Sequence, residues 1–103
     1  MINNLDEYNK WQAMQVAPIV SQLNEITGVF DALMREEDMP AQRMMFLVSA
    51  AWKQYDKVIN ADGYAMWCNH SEVIAARENL YNTHLSLMSL VCCDDYKNKQ
   101  VWA

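Results

Sequence analysis

A chain of 103 residues, 52% hydrophobic and 20% charged, has the size and apolar content of a single folded domain, which excludes an intrinsically disordered chain and leaves no room for a second domain. The net charge of −5 is concentrated in residues 1–38, where seven acids stand against two bases. No basic stripe is present to neutralise phosphates, so direct nucleic acid binding is not expected, and a basic protein surface is the complementary partner.

Only two glycines and two prolines occur, where average usage gives about seven and five. Tight turns are therefore few, and the chain is predicted to be all-α: a small bundle of three to four helices over residues 1–103. The longest apolar-rich run, Met44 to Trp52, is far short of the ~20 residues that span a bilayer, so no membrane association is expected. The first residues carry neither a positive n-region nor an apolar h-region, and three cysteines with an adjacent pair make a poor disulfide framework. Both point to a reducing cytoplasm.

Along the chain, apolar residues at Leu5, Tyr8, Trp11 and Val16 begin a face that becomes regular at Ile19, Leu23, Ile26, Phe30 and Leu33. Alternating steps of four and three place these last five side chains on one stripe of a 3.6-residue helix. Pro18 interrupts the run, because its ring removes the hydrogen bond to the carbonyl of Met14, so helices near 5–17 and 19–37 with a break or kink between them are expected. If the helix is instead continuous, something must cover its ends, and a second copy of the chain is the simplest cover. Gly28 and Ala32 form a small-xxx-small pair that would let another backbone approach closely.

The acids Glu36, Glu37 and Asp38 end this segment, and Pro40 is placed at the first position of a helix near 40–60, with Asp38 or Met39 as its cap. The stripe of that helix is Met45, Val48, Trp52, Tyr55 and Ile59. Asn60-Ala61-Asp62-Gly63 stops it, with Gly63 free to take the left-handed conformation. Asn69 and Glu72 resemble a capping box opening a helix near 70–93, whose stripe is Val73, Ala76, Leu80, His84, Leu87 and Val91. Apolar residues cover much of its circumference, so it is expected to be the most buried helix, ending at Asp94-Asp95. The tail 96–103 is then loose unless docked.

Chemistry is harder to find. Cys68, His70, His84, Cys92 and Cys93 are all potential zinc ligands, but their spacing matches neither a finger nor a ribbon, and buried free cysteine is ordinary core. No phosphate loop, nucleophile elbow or metalloprotease motif occurs, so no enzyme activity, catalytic residue, metal or cofactor is predicted. Eight methionines and eleven aromatic residues exceed what one small core needs, and this composition is enriched at adaptable interfaces. The sequence thus favours a non-enzymatic protein that works by stoichiometric binding, of the inhibitor, immunity or phage- and plasmid-accessory type. Its expected partner residues are Trp11, Glu36, Glu37, Asp38 and Trp102. Two other readings are a helical subunit completing a homodimer or larger assembly, and a bundle that holds a metal or small ligand around Cys68, His70 and His84.

Overall fold

The apolar stripe of the first segment folds as one helix. In the computed structural model, which describes the backbone of residues 2–102 and the side chains of residues 5–90, α1 runs without interruption over Ile2–Met34 with Pro18 inside it. Of the break or kink expected at Pro18, the break does not occur, and the two segments are fused into one helix through it. Proline in a helix interior costs about 3 kcal/mol when the freed carbonyl has no partner. Here both Pro18 and Met14 are exposed, so water can reach the carbonyl that has lost its donor. The helix closes at Met34 with tight i→i+3 bonds from the N–H groups of Arg35 and Glu36 to the carbonyls of Ala32 and Leu33. Glu36, Glu37 and Asp38 therefore lie in the loop after the helix and not in its last turn.

Helix α2 spans Ala41–Ile59, with Pro40 as its cap residue at φ −59° and ψ 142°, one position earlier in role than the sequence suggests. The Pro40 carbonyl accepts from the Met44 N–H at 3.0 Å. At the other end, both the backbone N–H and the side-chain amide of Asn60 donate to the Asp56 carbonyl. Gly63 then takes φ +89°, as its place in the turn predicts, and leads into a single helical turn, α3, at Tyr64–Trp67.

Helix α4 spans Ser71–Trp102 and passes through Asp94 and Asp95, where the sequence had suggested an end; the backbone of the tail is helical up to Trp102. Its cap is His70, not Asn69. The His70 Nδ1 accepts the Glu72 N–H at 3.2 Å, and its carbonyl accepts the Ile74 N–H at 2.9 Å. The bond from the His70 N–H to the Trp67 carbonyl closes the preceding turn and fixes this histidine at the helix mouth.

The core lies along α1. Leu23 and Phe30 are fully buried against Val73, Leu80 and Leu87 of α4, and Val48, Ala51, Tyr55 and Val58 of α2 complete it. Of the α1 and α4 stripes read from the sequence, Leu23, Ile26, Phe30 and Leu33 and Val73, Ala76, Leu80 and Leu87 are buried, Ile19 and His84 are partly buried, and the side chain of Val91 lies outside the described residues. The stripe of α2 is rotated: Met45 is exposed and Ala51 and Val58 take the interior, because α2 packs on α1 alone along most of its length. Over its described side chains α4 buries Val73, Ala76, Leu80 and Leu87 and leaves Tyr81, Leu85 and Leu90 exposed.

Neighbouring residues fix the directions. Val20 and Asn24 of α1 lie beside Glu72 and Ala76 of α4, and Asp31 lies beside Thr83, so the two helices run parallel. Helix α2 returns antiparallel, with Val58 near Ile19 and Trp52 against Phe30. Helices of 33 and 32 residues are each about 50 Å long. The body measures 70 × 22 × 19 Å and has a radius of gyration of 18.0 Å, against about 13 Å for a compact chain of this size. The two long helices are therefore staggered and overlap over less than half the length of the body. At one end α1 projects as an arm beyond the start of α4. Among the described residues no helix is long and apolar enough to cross a membrane.

Candidate protein-docking surface

The stagger exposes what a compact bundle would cover. On the α1 arm, Leu5 and Tyr8 continue the stripe that buries Leu23 and Ile26 further along, yet they are 61% and 53% exposed because no helix of this chain lies beside them. Trp11 and Met14 extend the same row in steps of three, so it winds obliquely around the helix. Trp11 remains 46% exposed and Met14 72% exposed.

Helix α3 brings the second half of the surface. The left-handed turn at Gly63 reverses the chain so that the ring of Trp67 meets that of Trp11 edge to face, with centroids 5.4 Å apart. Tyr8 lies 6.1 Å from Trp11 on the other side, and His70 lies 6.5 Å from Trp67. A continuous row of Tyr8, Trp11, Trp67 and His70 results.

A different aromatic cluster fastens α2 to α4. Trp52 contacts Phe30, Tyr55, Tyr81 and His84 with centroid separations of 4.8 to 5.9 Å. The hydroxyls of Tyr55 and Tyr81 share a hydrogen bond. Burial and this bond push the Tyr55 hydroxyl well above its ordinary value. Arg77 donates from Nη1 to the Tyr64 hydroxyl at 3.2 Å and to the Cys68 carbonyl at 3.5 Å, tying α4 to α3. The Tyr64 bond raises the guanidinium further. His84 sits between Phe30 and Trp52, and burial lowers its imidazole from the usual value.

Of the partner residues expected from sequence, Trp11 lies at the centre of the exposed row. Glu36, Glu37 and Asp38 are exposed at the opposite end of α1. The rise of the helix separates them from Trp11 by about 35 Å, wider than a patch of about 800 Å². One interface of standard size does not hold both. The side chain of Trp102 lies outside the described residues, as do those of Cys92 and Cys93.

The potential metal ligands do not converge either. His70 caps α4 and His84 lies fourteen residues along the same helix, about 21 Å away. The Cys68 thiol donates to the Ala65 carbonyl. Among the described residues no three His, Cys, Asp or Glu side chains are gathered as a metal would need. A groove of about 410 Å³ between α1 and α2 is lined by Ile26, Val29, Ala51 and Val58 together with Glu25 and Lys57, and no serine, cysteine or histidine lines it.

Sequence reasoning missed Trp67 and Arg77. Their roles depend on the turn that swings α3 against α1, and the only local signal for it is Gly63 with its turn-forming neighbours. Compared with models of protein families, with curated proteins and with solved structures, the chain matches none.

Proposed function

We propose that this chain is a non-enzymatic protein-binding module that docks stoichiometrically through the arm of α1 and the adjoining turn α3. The observation that carries this reading is the exposure of Leu5, Tyr8 and Trp11 on the arm, with the Trp11 ring in contact with Tyr8 and braced by Trp67. Apolar surface of this extent on a small protein marks an interaction site. Tryptophan and tyrosine at its centre are the residue types that concentrate binding energy, and a braced ring gives up little rotamer entropy on docking. Proteins of the inhibitor, immunity and phage-accessory kind act in this manner, by covering another protein's surface instead of turning over a substrate.

The acidic loop at Glu36, Glu37 and Asp38 is too remote to join that contact, and its role in this reading is to bias the approach of a basic partner at long range. Capture from the source cell with immobilised wild type, with Leu5→Glu/Trp11→Glu, and with Glu36→Gln/Glu37→Gln/Asp38→Asn tests both parts. Loss of the captured protein with the arm variant alone is expected. Retention by the arm variant and loss with the loop variant would move the docking surface to the acidic end.

A further inference from the structure

We infer that the outer face of α2 is the contact surface for a second copy of this chain, with the two α2 helices antiparallel about a two-fold axis beside Phe46. Arg43, Phe46, Ala50, Lys53 and Lys57 follow one another in steps of three, four, three and four, which puts them on one stripe. All five are exposed, on the side of α2 turned away from Val48, Ala51, Tyr55 and Val58. The stripe holds three cations and no acid in a chain of net charge −5. Among the described residues the one ion pair is that of Arg35 with Asp31, so none of the three cations is paired there. Phe46, 72% exposed, is the one large apolar side chain on the stripe.

Charge complementarity names the occupant. The surface that matches these cations is the exposed loop Glu36-Glu37-Asp38, which leads into α2. Within one chain the rise of α2 keeps that loop about 18 Å or more from Lys53 and Lys57, so it cannot pair with them. An antiparallel second copy brings them together, and does so twice by symmetry.

The register follows from the same residues. With Phe46 at the axis, each ring covers the other and Arg43 faces the partner's Ala50. The partner's Lys53 and Lys57 then lie about 10.5 and 16.5 Å along from the axis. Ala41 lies about 7.5 Å along in the same direction, so the acidic loop before it falls at the level of the two lysines. Moving the axis to Ala50 would instead set Arg43 against the partner's Lys57, and like charges oppose that register. One helix face and a loop from each side make a contact below about 1,200 Å² in total, the size of weak, transient interfaces. The α1 arms stay free at the two far ends, because α1 begins beside the C-terminal end of α2, so this contact adds to the docking surface without depending on it.

Sedimentation equilibrium of the full chain in reductant, from about 5 to about 500 µM at about 0.02 and 0.5 M salt, tests this. At low salt the expected species has twice the 12.0 kDa mass of the chain, and high salt should weaken association ~10-fold or more. Lys53→Glu/Lys57→Glu and Glu36→Lys/Glu37→Lys/Asp38→Lys change only exposed side chains. Each should keep its helical circular dichroism and stay monomeric. Mixed together, the two variants should associate, because opposite charges then meet at both ends of the contact. Leu5→Glu/Trp11→Glu should dimerise as wild type does. Wild type that stays monomeric across the range overturns the inference. So does a mixture of the two charge variants that fails to associate, or a dimer that only the arm variant dissolves.

Discussion

Trp11 and Trp67 meet edge to face at 67°, with centroids 5.4 Å apart, although all of α2 separates them in the sequence. This pair ties the base of the arm to the one-turn helix that precedes α4. Edge-to-face aromatic pairs contribute about 0.5–1.5 kcal/mol beyond their buried area. A double-mutant cycle of Trp11→Leu and Trp67→Leu, read by urea denaturation at protein concentrations low enough to hold the chain monomeric, should return a coupling in that range. A coupling near zero would mean that the rings touch without bracing the arm.

The hydroxyl pair of Tyr55 and Tyr81 is the main polar link between α2 and α4. Tyr81→Phe and Tyr55→Phe should each cost about 0.5–1.5 kcal/mol, and the double change little more than one alone, since either removes the same bond. The sign of the pH effect follows from the raised Tyr55 value. The folded protein favours the protonated hydroxyl, so this stabilisation is complete below the ordinary tyrosine range and is lost as pH rises through and beyond it. Absorbance titration at alkaline pH should show a tyrosine ionising above the ordinary tyrosine range, and Tyr81→Phe should bring it forward.

The two glycines should respond to alanine with opposite signs. A Cβ at Gly28 would meet nothing within 4 Å, so the close backbone approach suggested by Gly28 and Ala32 does not occur within the chain. Gly28→Ala should then stabilise α1 by roughly 0.5–1 kcal/mol through helix propensity alone. At Gly63, φ of +89° is a conformation that side chains resist, and Gly63→Ala should destabilise and loosen the α3 turn, although space is open there too. Thermal melts of both variants decide it.

These cases also show which parts of the fold were legible. The α1 and α4 stripes were readable because 3.6-residue periodicity maps burial directly, and Leu23, Phe30, Leu80 and Leu87 are buried where the spacing places them. Whether the helix breaks at Pro18 was not legible, because the cost of proline there depends on whether the Met14 carbonyl finds water, which is a property of tertiary exposure. His70 was missed as a cap because asparagine is the stronger general former, and only the turn closed on the Trp67 carbonyl selects the histidine. Trp11 was legible as an outlier of composition. Its neighbour Trp67 was not, since no local pattern encodes a contact made through a left-handed turn and across an intervening helix.

His84 offers the remaining test, because it falls on the core stripe of α4 yet carries a titratable ring among aromatic neighbours. Phe30 and Trp52 flank it at 5.2 and 4.8 Å, and burial lowers its imidazole below the ordinary value near 6.5. The folded state therefore holds the neutral ring, while the unfolded chain takes up a proton first as pH falls. The contribution of this group to stability is complete above the unfolded value and is lost as pH drops from there through the folded value. Melting temperature should decline between neutral and mildly acidic pH. In His84→Gln the decline should be shallower over that window, whatever the substitution costs at neutral pH. Identical pH slopes for wild type and His84→Gln would show that the ring is solvated well enough to titrate as in the unfolded chain, and that the cluster around Trp52 opens readily.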